Sequence, residues 1–298
     1  MMDIIYNRTM KKKWHMYEER CKQTVLLCSI VATIIYLFTL ANKEPGEPEK
    51  SSNGVIILNT TTEKIPNSAV DKDTALETEE WFFAWLEKTQ VHCDDVIRIG
   101  NQQDGGWNMC VSGPYKPQEK CLVYSFGINN DWSFDDDVTS RFSCEVHSFD
   151  PSMNMSDHRR SETIYFHSMG LSNKDYVTLE GWPMMSFSSI LTELKHEKAI
   201  MDMLKMDIEY SEHEVLPDLF AEGVLHNIKQ LAFEFHFKPG LSPERYKSFY
   251  ATLSKLETQF NFRKYLYHRN EVCSVFSPIK DIKRSGCHEL YYINLDYM

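Results

Sequence analysis

The chain has 298 residues, of which 42% are apolar and 25% are charged. That apolar content supports a folded core and excludes a wholly disordered protein. The formal net charge of −11 argues against general nucleic-acid binding, which needs a basic surface. We therefore expect no nucleic acid among the partners.

An uncharged apolar segment lies near the N-terminus. Residues 24–41 (TVLLCSIVATIIYLFTLA) would extend roughly 27 Å as a helix, close to the core of a thin bilayer. A signal peptide is the alternative, but its apolar region is shorter and is not preceded by so long a polar stretch. We predict a transmembrane signal anchor at 24–41 after a tail at 1–23.

The flanking charges predict the orientation of this anchor. Six Lys and Arg side chains lie between residues 8 and 22, so the positive-inside rule places the tail in the cytosol. The rest of the chain is then expected in the Golgi or ER lumen or at the cell surface, as in a single-pass type II membrane protein. Acceptor sequons at Asn59 and Asn154 are weak support for a glycoprotein.

An oxidising compartment favours disulfide bonds among the six cysteines that follow the anchor. Cys121 and Cys144 begin neighbouring predicted strands and could pair, and Cys273 and Cys287 flank the final strand connection. Cys93 and Cys110 remain as the third pair. Buried free thiols are the alternative, and none of the spacings is typical of a zinc site.

Composition divides the chain after the anchor into two regions. Residues 42–73 are rich in Lys, Glu, Pro, Ser, Asn and Thr and predict a disordered stem. Residues 74–298 carry apolar runs alternating with helical patterns, and their number suits one domain. This alternation predicts an α/β fold with a mostly parallel sheet of about seven strands and helices on both faces.

The predicted elements of this domain follow in chain order. The predicted strands are 122–126, 145–149, 163–167, 203–208, 231–237, 263–267, 272–277 and 290–294. The predicted helices are 74–90, 132–142, 187–200 and one that begins at Ser242-Pro243. Ser133 and Asp136 have the spacing of a capping box at the start of the second helix.

Ligands of an open α/β sheet bind beyond the carboxyl ends of the strands, where the strand order reverses. Gly127 follows the first of these strands, and Asp150 follows the next one, 23 residues later. A glycine turn followed by an acidic residue at about this distance is the pattern that holds a ribose. The full dinucleotide fingerprint is absent, which favours a nucleoside without phosphates. An ordinary strand–helix turn with an exposed aspartate is the alternative.

Two later strands carry charged side chains. Alternation places Lys205, Asp207 and Glu209 on one side of one strand, and Glu234 and His236 on one side of the other. Buried charges are costly unless they are paired. We predict either a structural ion pair or a polar site for a ligand, a metal or a general base.

Three blocks in this order carry a family resemblance: residues 121–135 (CLVYSFGINNDWSFD), 144–152 (CEVHSFDPS) and 204–209 (LKMDIE). Together they resemble the methyltransferase-like protein 24 family and, more distantly, the FkbM-type methyltransferases. The resemblance covers roughly residues 80–298. It implies a Rossmann-like methyltransferase fold, S-adenosylmethionine as cofactor and, in many members, an N-terminal anchor.

The resemblance also implies roles for particular residues. Gly127, Asn129 and Asp131 match the first cofactor motif, Asp150 matches the acidic residue expected at the ribose hydroxyls, and Asp207 matches the residue beside the methyl donor.

Three further side chains are the candidate catalytic groups: Glu209, Glu234 and His236. We assign no residue to a metal, and a divalent ion at Asp207 and Glu209 is the less favoured alternative. The block usually continues with glycine, whereas this chain has Tyr210, which we expect to reshape or partly close the pocket.

Three functions compete on this evidence. The leading one is an S-adenosylmethionine-dependent methyltransferase that acts on a hydroxyl of a small molecule or a glycan. A type II lumenal glycosyltransferase would share the anchor and the stem. A catalytically silent methyltransferase fold that serves as a binding module is the third.

Overall fold

The structure is a computed structural model that describes residues 54–58, 72–279 and 281–298. The predicted tail and anchor, most of the predicted stem, and the sequon at Asn59 lie outside the described residues. Among the described helices, none combines the length and apolar character that a membrane crossing requires.

Strands and helices alternate through the described part of the chain. The strands are β1 (Val55–Ile57), β2 (Val91–Cys93), β3 (Val96–Ile99), β4 (Trp107–Cys110), β5 (Leu122–Phe126), β6 (Glu145–Phe149), β7 (His158–Arg159), β8 (Ile164–His167), β9 (Gly170–Leu171), β10 (Tyr176–Val177), β11 (Pro183–Met185), β12 (Met201–Met206), β13 (Ile228–His236), β14 (Phe262–Arg269), β15 (Ser274–Ser277), β16 (Ile282–Ser285) and β17 (Cys287–Asn294). The α-helices are α1 (Lys72–Leu86), α2 (Ser133–Phe142), α3 (Phe187–Leu194), α4 (Glu212–Glu222) and α5 (Pro243–Thr258).

Eight of the described strands form one sheet in the order β14-β17-β13-β12-β5-β6-β8-β7. Strands β13, β12, β5, β6 and β8 run parallel to one another, whereas β17 is antiparallel to both β13 and β14, and β7 is antiparallel to β8. The strand order reverses between β5 and β12, which are hydrogen-bonded neighbours. The predicted mostly parallel α/β sheet is confirmed, with eight strands where about seven were expected.

The two faces of this sheet are covered differently. Leu204, Tyr124 and Phe233 point to one face, where they pack with helices α1, α3, α4 and α5. Val123 and Met203 point to the other face, where they pack with α2 and the β3–β4 hairpin. Helices therefore lie on both faces, as predicted, but a hairpin takes much of the second face. The central strands are buried on both sides, which explains their nearly continuous apolar sequences.

Several boundaries differ from the predictions. Residues 55–57 belong to the predicted stem, yet they form β1 and pair with β2, and Val55 and Ile56 are buried. The predicted strand at 272–277 does not join the main sheet, because β15 pairs only with β16. Helix α3 ends at Leu194 rather than at residue 200, because Lys195 adopts a left-handed backbone that caps it.

Helix α4 was not predicted, and the cap of α2 was predicted wrongly. Pro217 lies inside α4, and a proline in a helix interior argues against a helix in the sequence. The Asp131 carboxylate, rather than a Ser133–Asp136 capping box, caps α2 by accepting a hydrogen bond from the Ser133 amide at 2.9 Å.

All six cysteines of the described region form disulfides. The pairs are Cys93–Cys110, Cys121–Cys144 and Cys273–Cys287, with Cα–Cα distances of 6.1, 4.6 and 5.6 Å. The predicted pairing is confirmed, and the alternative of buried free thiols is wrong. The Cys121–Cys144 disulfide joins the residues that directly precede β5 and β6. It therefore lies at the opposite end of these strands from Gly127 and Asp150.

Candidate functional site

A cavity of about 490 Å³ opens beyond the carboxyl ends of β5, β6 and β12, at the reversal of strand order. This is the position at which open α/β sheets bind their ligands, and the volume is typical of a small-molecule site. The cavity is lined by Phe126, Gly127, Asn129, Phe149, Asp150, Pro151, Ser152, Gly170, Leu171, Trp182, Met184, Asp207, Ile208, Glu209 and Ser211.

Gly127 allows the ends of β5 and β12 to approach each other closely. Its φ is +70°, and a Cβ at this position would lie 1.7 Å from the backbone oxygen of Asp207. No side chain fits there, so a glycine is required by both the backbone conformation and the space. The turn after β5 consequently keeps its backbone at the wall of the cavity.

Asp150 is held in place at the end of β6. The residue is 5% exposed, and its Oδ2 accepts a hydrogen bond from the Asn129 amide at 2.8 Å. Its Oδ1 accepts from the amide and the hydroxyl of Ser152 at 2.8 and 2.6 Å. A carboxylate carries about four lone-pair sites, so one acceptor site remains for a ligand hydroxyl at the cavity.

The apolar walls of the cavity come from two places. The Phe126 and Phe149 rings stack with their centroids 4.3 Å apart below the strand ends. Leu171 lies in β9, Met184 lies in β11, and Trp182 directly precedes β11. Aromatic and apolar walls around a few fixed polar groups are typical of sites that hold an organic ligand.

Lys205 supports the cavity from behind. Its ammonium donates to the backbone oxygens of Phe126 and Gly127 at 2.9 and 3.0 Å, and it lies 5.2 Å from the centroid of the Trp107 ring. Burial lowers the pKa of Lys205, while the charge of Asp207 is the largest opposing influence. The buried lysine therefore ties β12 to the glycine turn.

A cluster of charged groups adjoins the cavity, and we call it the His236 cluster. Its members are His236, Asp207, Glu209, Glu212 and Glu234. His236 Nδ1 lies 3.1 Å from Glu212 Oε1, and its Nε2 lies 3.5 Å from Glu209 Oε2 and 3.6 Å from Glu234 Oε2. Asp207 Oδ1 is 4.0 Å from the same Nε2. The charged side chains predicted on two strands do converge.

Crowding shifts the pKa values of this cluster. Burial raises the pKa of Asp207, and Lys205 opposes this rise. Burial also raises the pKa of Glu234, and the neighbouring charge of Asp207 adds to the rise. Burial disfavours a charged His236, but the hydrogen bond and charge of Glu212 outweigh it and raise the pKa. The carboxylates thus favour a positive charge in their midst.

The structure divides the predicted site residues into two sets. Gly127, Asn129, Asp150, Asp207 and Glu209 line the cavity. Glu234, His236 and Asp131 do not line it. The first two lie in the His236 cluster, which borders the cavity through Asp207 and Glu209.

Asp131 makes structural hydrogen bonds beside the cavity-lining turn. Besides capping α2, its carboxylate accepts a hydrogen bond from the Asn101 side chain at 2.7 Å. Burial opposes its ionisation, but the hydrogen bonds from Ser133 and Asn101 keep the pKa of Asp131 below the ordinary value. A cofactor role for Asp131 stays a prediction that this geometry does not favour.

Tyr210 lies outside the cavity. Its φ is +71°, a left-handed conformation that glycine adopts at low cost and that explains the family preference at this position. The side chain is 48% exposed, and its ring centroid lies 5.4 Å from that of His236. Tyr210 covers the His236 cluster and does not fill the space beside Asp150, contrary to the expectation that it partly closes the pocket.

Sequence reasoning missed two supporting residues. Glu212 is fully buried and accepts hydrogen bonds from His236 and from the Ile208 amide. Ser152 fixes Asp150 from the turn after β6. Ser152 lies two residues after Asp150, which is the spacing of an Asx turn, in which an aspartate side chain accepts a hydrogen bond from the backbone two residues later. The sequence therefore contained a signal for this contact. Glu212 could not be found, because its role depends on the unpredicted α4.

The residues present fit the nucleoside part of S-adenosylmethionine. Asp150 offers a fixed acceptor for a ribose hydroxyl, Gly127 brings the backbone close, and the apolar walls suit a base. The cavity has room for a ligand of that size.

Comparison with known proteins agrees with this geometry. Residues 56–280 match a family described as "Methyltransferase domain". The chain is 28% identical over 243 residues to "Probable methyltransferase-like protein 24" from Homo sapiens, covering 74% of this chain and 66% of that protein. The Rattus norvegicus protein of the same name is 27% identical over 251 residues, covering 77% of this chain and 67% of that protein.

The match thus spans about two thirds of the length of these relatives. No solved structure matches the chain significantly. Because the family match covers most of the chain and coincides with the sheet, the glycine turn and the acidic strand end, this protein belongs to the methyltransferase domain family.

Proposed function

We propose that this protein is an S-adenosylmethionine-dependent methyltransferase that acts on a hydroxyl of a small molecule or a glycan. The observation that carries the proposal is Asp150, a buried carboxylate held at the cavity where the strand order reverses. Gly127 and Asn129 bring the turn after β5 to the same cavity. Such a turn and carboxylate are the usual means of holding a nucleoside.

Each part of the cavity has a role in this proposal. S-adenosylmethionine supplies a methyl group bound to a positively charged sulfur. Asp150 binds the ribose hydroxyls, and Asp207 and Glu209 lie on the side where negative charge favours a sulfonium. The enzyme's main contribution is to align the donor and the acceptor oxygen.

The acceptor hydroxyl loses its proton during the transfer, so a base is needed nearby. Glu209 borders the cavity, and its side chain is 81% exposed. Glu234 and His236 lie behind it and pass the proton on or hold Glu209 in place. This ordering of the three predicted catalytic residues follows from the cavity lining, which includes Glu209 but neither Glu234 nor His236.

The compartment belongs to the same proposal. Three disulfides in one domain are typical of an oxidising environment, which suits the lumen or the cell surface. Asn154 is exposed and available to a glycosylating enzyme. The signal anchor at 24–41 and the type II orientation remain proposals, supported by the sequence pattern alone.

Titration calorimetry of the purified full chain with S-adenosylhomocysteine tests the function. We expect binding, and we expect Asp150→Ala to weaken it by more than about tenfold, because hydrogen bonds to a charged acceptor are lost. The control is Asp104→Ala, an exposed aspartate that does not line the cavity. Its affinity should equal that of the unaltered chain.

The other functions predict different results. Binding of a nucleotide sugar with Mn²⁺, without binding of S-adenosylhomocysteine, would establish a glycosyltransferase. Binding of neither ligand would establish the silent binding module. Unchanged affinity in Asp150→Ala would show that the ribose site is placed wrongly.

A further inference from the structure

The His236 cluster has the geometry of a metal site. Asp207, Glu234 and His236 each offer one ligand atom, and these atoms lie within 4.8 Å of one another. Glu209 adds a third carboxylate, 3.5 Å from His236 Nε2. One imidazole nitrogen and three carboxylates therefore surround a common point beside the cavity.

Three carboxylate oxygens in this cluster are buried and accept no hydrogen bond from the described residues: Asp207 Oδ1, Glu212 Oε2 and Glu234 Oε1. Asp207 and Glu234 are the two of these residues that lie beside His236 Nε2. Glu234 is 6% exposed, so water does not readily satisfy it. An unsatisfied buried carboxylate oxygen costs several kcal/mol unless a cation or a donor pairs with it. These oxygens point to a missing positive group.

The orientation of His236 fits the same conclusion. Its Nδ1 donates to the buried Glu212 Oε1, so Nε2 faces Asp207, Glu209 and Glu234 and would offer its lone pair to a metal ion that replaces its proton. Metal-binding histidines usually have their second nitrogen fixed by a carboxylate in this way. Glu212 thus acts as the orienting partner rather than as a ligand.

A divalent ion would offset most of the negative charge of this cluster. Four carboxylates surround the imidazole, and Lys205 contributes one positive charge that acts on Asp207. A dication would bring the cluster close to neutrality, whereas the proton on His236 supplies half as much charge. Repulsion among the carboxylates is the cost that such an ion removes.

Two other groups among the described residues have comparable spacing but cannot serve. Glu234, Cys273 and Cys287 form one group, but both sulfurs belong to a disulfide and are not thiolates. Glu145, His147 and His196 form the other. Both ring nitrogens of His147 are hydrogen-bonded, and Tyr124 is hydrogen-bonded to His196, so this group already has its partners.

We infer that Asp207, Glu234 and His236 bind a divalent transition-metal ion, with Glu209 as a further ligand on the cavity side. The imidazole ligand favours Mn²⁺ or Zn²⁺ over Mg²⁺ and Ca²⁺, which prefer oxygen donors alone. The site itself does not depend on the function proposed above.

One consequence of the site does rest on the proposed function. Asp207 and Glu209 belong to both the cluster and the cavity, so a metal held there would contact an acceptor oxygen in the cavity. A dication lowers the pKa of a bound hydroxyl and aligns it for attack on the methyl carbon. The acceptor class would then be a hydroxyl or diol able to bind a metal.

Mn²⁺ titration of the full chain, without any nucleoside ligand, tests the site. The sharp electron paramagnetic resonance signal of free Mn²⁺ reports binding, because bound Mn²⁺ loses it. We expect one ion per chain, and affinity reduced by more than about tenfold in Glu234→Gln and in Asp207→Asn. Glu145→Gln, in the group that already has its partners, is the matched control and should bind as the unaltered chain does.

Asp207 is partly exposed, so its variant is informative even if Glu234→Gln fails to fold, and circular dichroism checks both. No binding by the unaltered chain at millimolar Mn²⁺ would overturn the inference. It would also be overturned if both cluster variants bound Mn²⁺ as tightly as the unaltered chain does. Calorimetry with S-adenosylhomocysteine is a separate measurement. Mn²⁺ binding without nucleoside binding would keep the metal site and refute the methyltransferase.

Discussion

The His236 cluster and the group formed by Glu145, His147, His167 and His196 both combine histidines with carboxylates on the central sheet. In the second group His147 lies 2.8 Å from His167 and 3.0 Å from Glu145, and every ring is packed or hydrogen-bonded. In the His236 cluster three carboxylate oxygens have no hydrogen-bond partner among the described residues. The difference teaches that the same residue types form a closed structural network when they satisfy one another, and a candidate ligand site when unsatisfied carboxylate oxygens gather around one imidazole beside a cavity.

The largest expected effect concerns Lys205, the buried cation next to Asp207 of the His236 cluster. Lys205→Met removes the hydrogen bonds to the Phe126 and Gly127 oxygens and leaves Asp135 and Asp207 without their counter-charge. We expect the free energy of unfolding to fall by about 3–5 kcal/mol, as for other broken buried pairs. Urea unfolding followed by tryptophan fluorescence, with the disulfides intact, measures it.

The matched control for Lys205 is Lys283→Met. Lys283 pairs with Glu271 at 3.1 Å, but both side chains are exposed, so we expect a loss below about 1 kcal/mol. Equal losses in the two variants would show that the buried lysine is no more important than a surface one.

The next effect concerns the disulfide at the beginnings of β5 and β6. Cys121–Cys144 joins the beginnings of β5 and β6, directly before Glu145. Replacing both cysteines by alanine should lower the free energy of unfolding by about 3 kcal/mol, because the unfolded chain gains entropy when a loop of this length is opened.

Ligand binding should not follow this loss of stability. Gly127 and Asp150 lie at the opposite ends of β5 and β6. Because distant sites act nearly independently, the affinity for S-adenosylhomocysteine should stay within about twofold of that of the unaltered chain. Calorimetry checks this. A large loss of affinity would show that the cavity at the carboxyl ends of β5 and β6 depends on the disulfide at their beginnings.

The smallest effect is a pH dependence of stability from His167. Burial is the main cause that lowers the pKa of His167 to about 4, and the charges of His147 and His196 lower it further. The charge and hydrogen bond of Asp157 oppose this shift. In the unfolded chain the pKa lies near 6.5. Protonation therefore favours the unfolded state, so stability is complete above about pH 6.5 and falls toward pH 4.

This contribution amounts to about 2 kcal/mol between pH 7 and pH 5. His167→Gln removes the titrating group, so the difference in unfolding free energy between these two pH values should shrink by that amount. Urea unfolding at both values measures it. An unchanged difference would mean that the pKa of His167 is the same in the folded protein as in the unfolded chain.

Local sequence patterns were sufficient for the parallel core of the fold. Strands β5 and β6 have the predicted bounds, because short apolar runs that end at turn residues, here Gly127 and Asp150-Pro151, are typical of buried strands. Alternation along β12 and β13 also predicted which charged residues share a side. Helix α4 and strand β1 escaped prediction, since a proline interrupts the one and a polar region surrounds the other.

The sequence by itself determined the sheet, the disulfide partners and the acidic residue at the end of β6, because these follow from periodicity, strand ends and family motifs. Only the tertiary structure decided which candidates meet. It placed Asp131 at a helix cap and Glu212 behind His236, and it turned Tyr210 away from the cavity. Burial and hydrogen-bond satisfaction depend on segments far apart in the chain, and no local pattern encodes them.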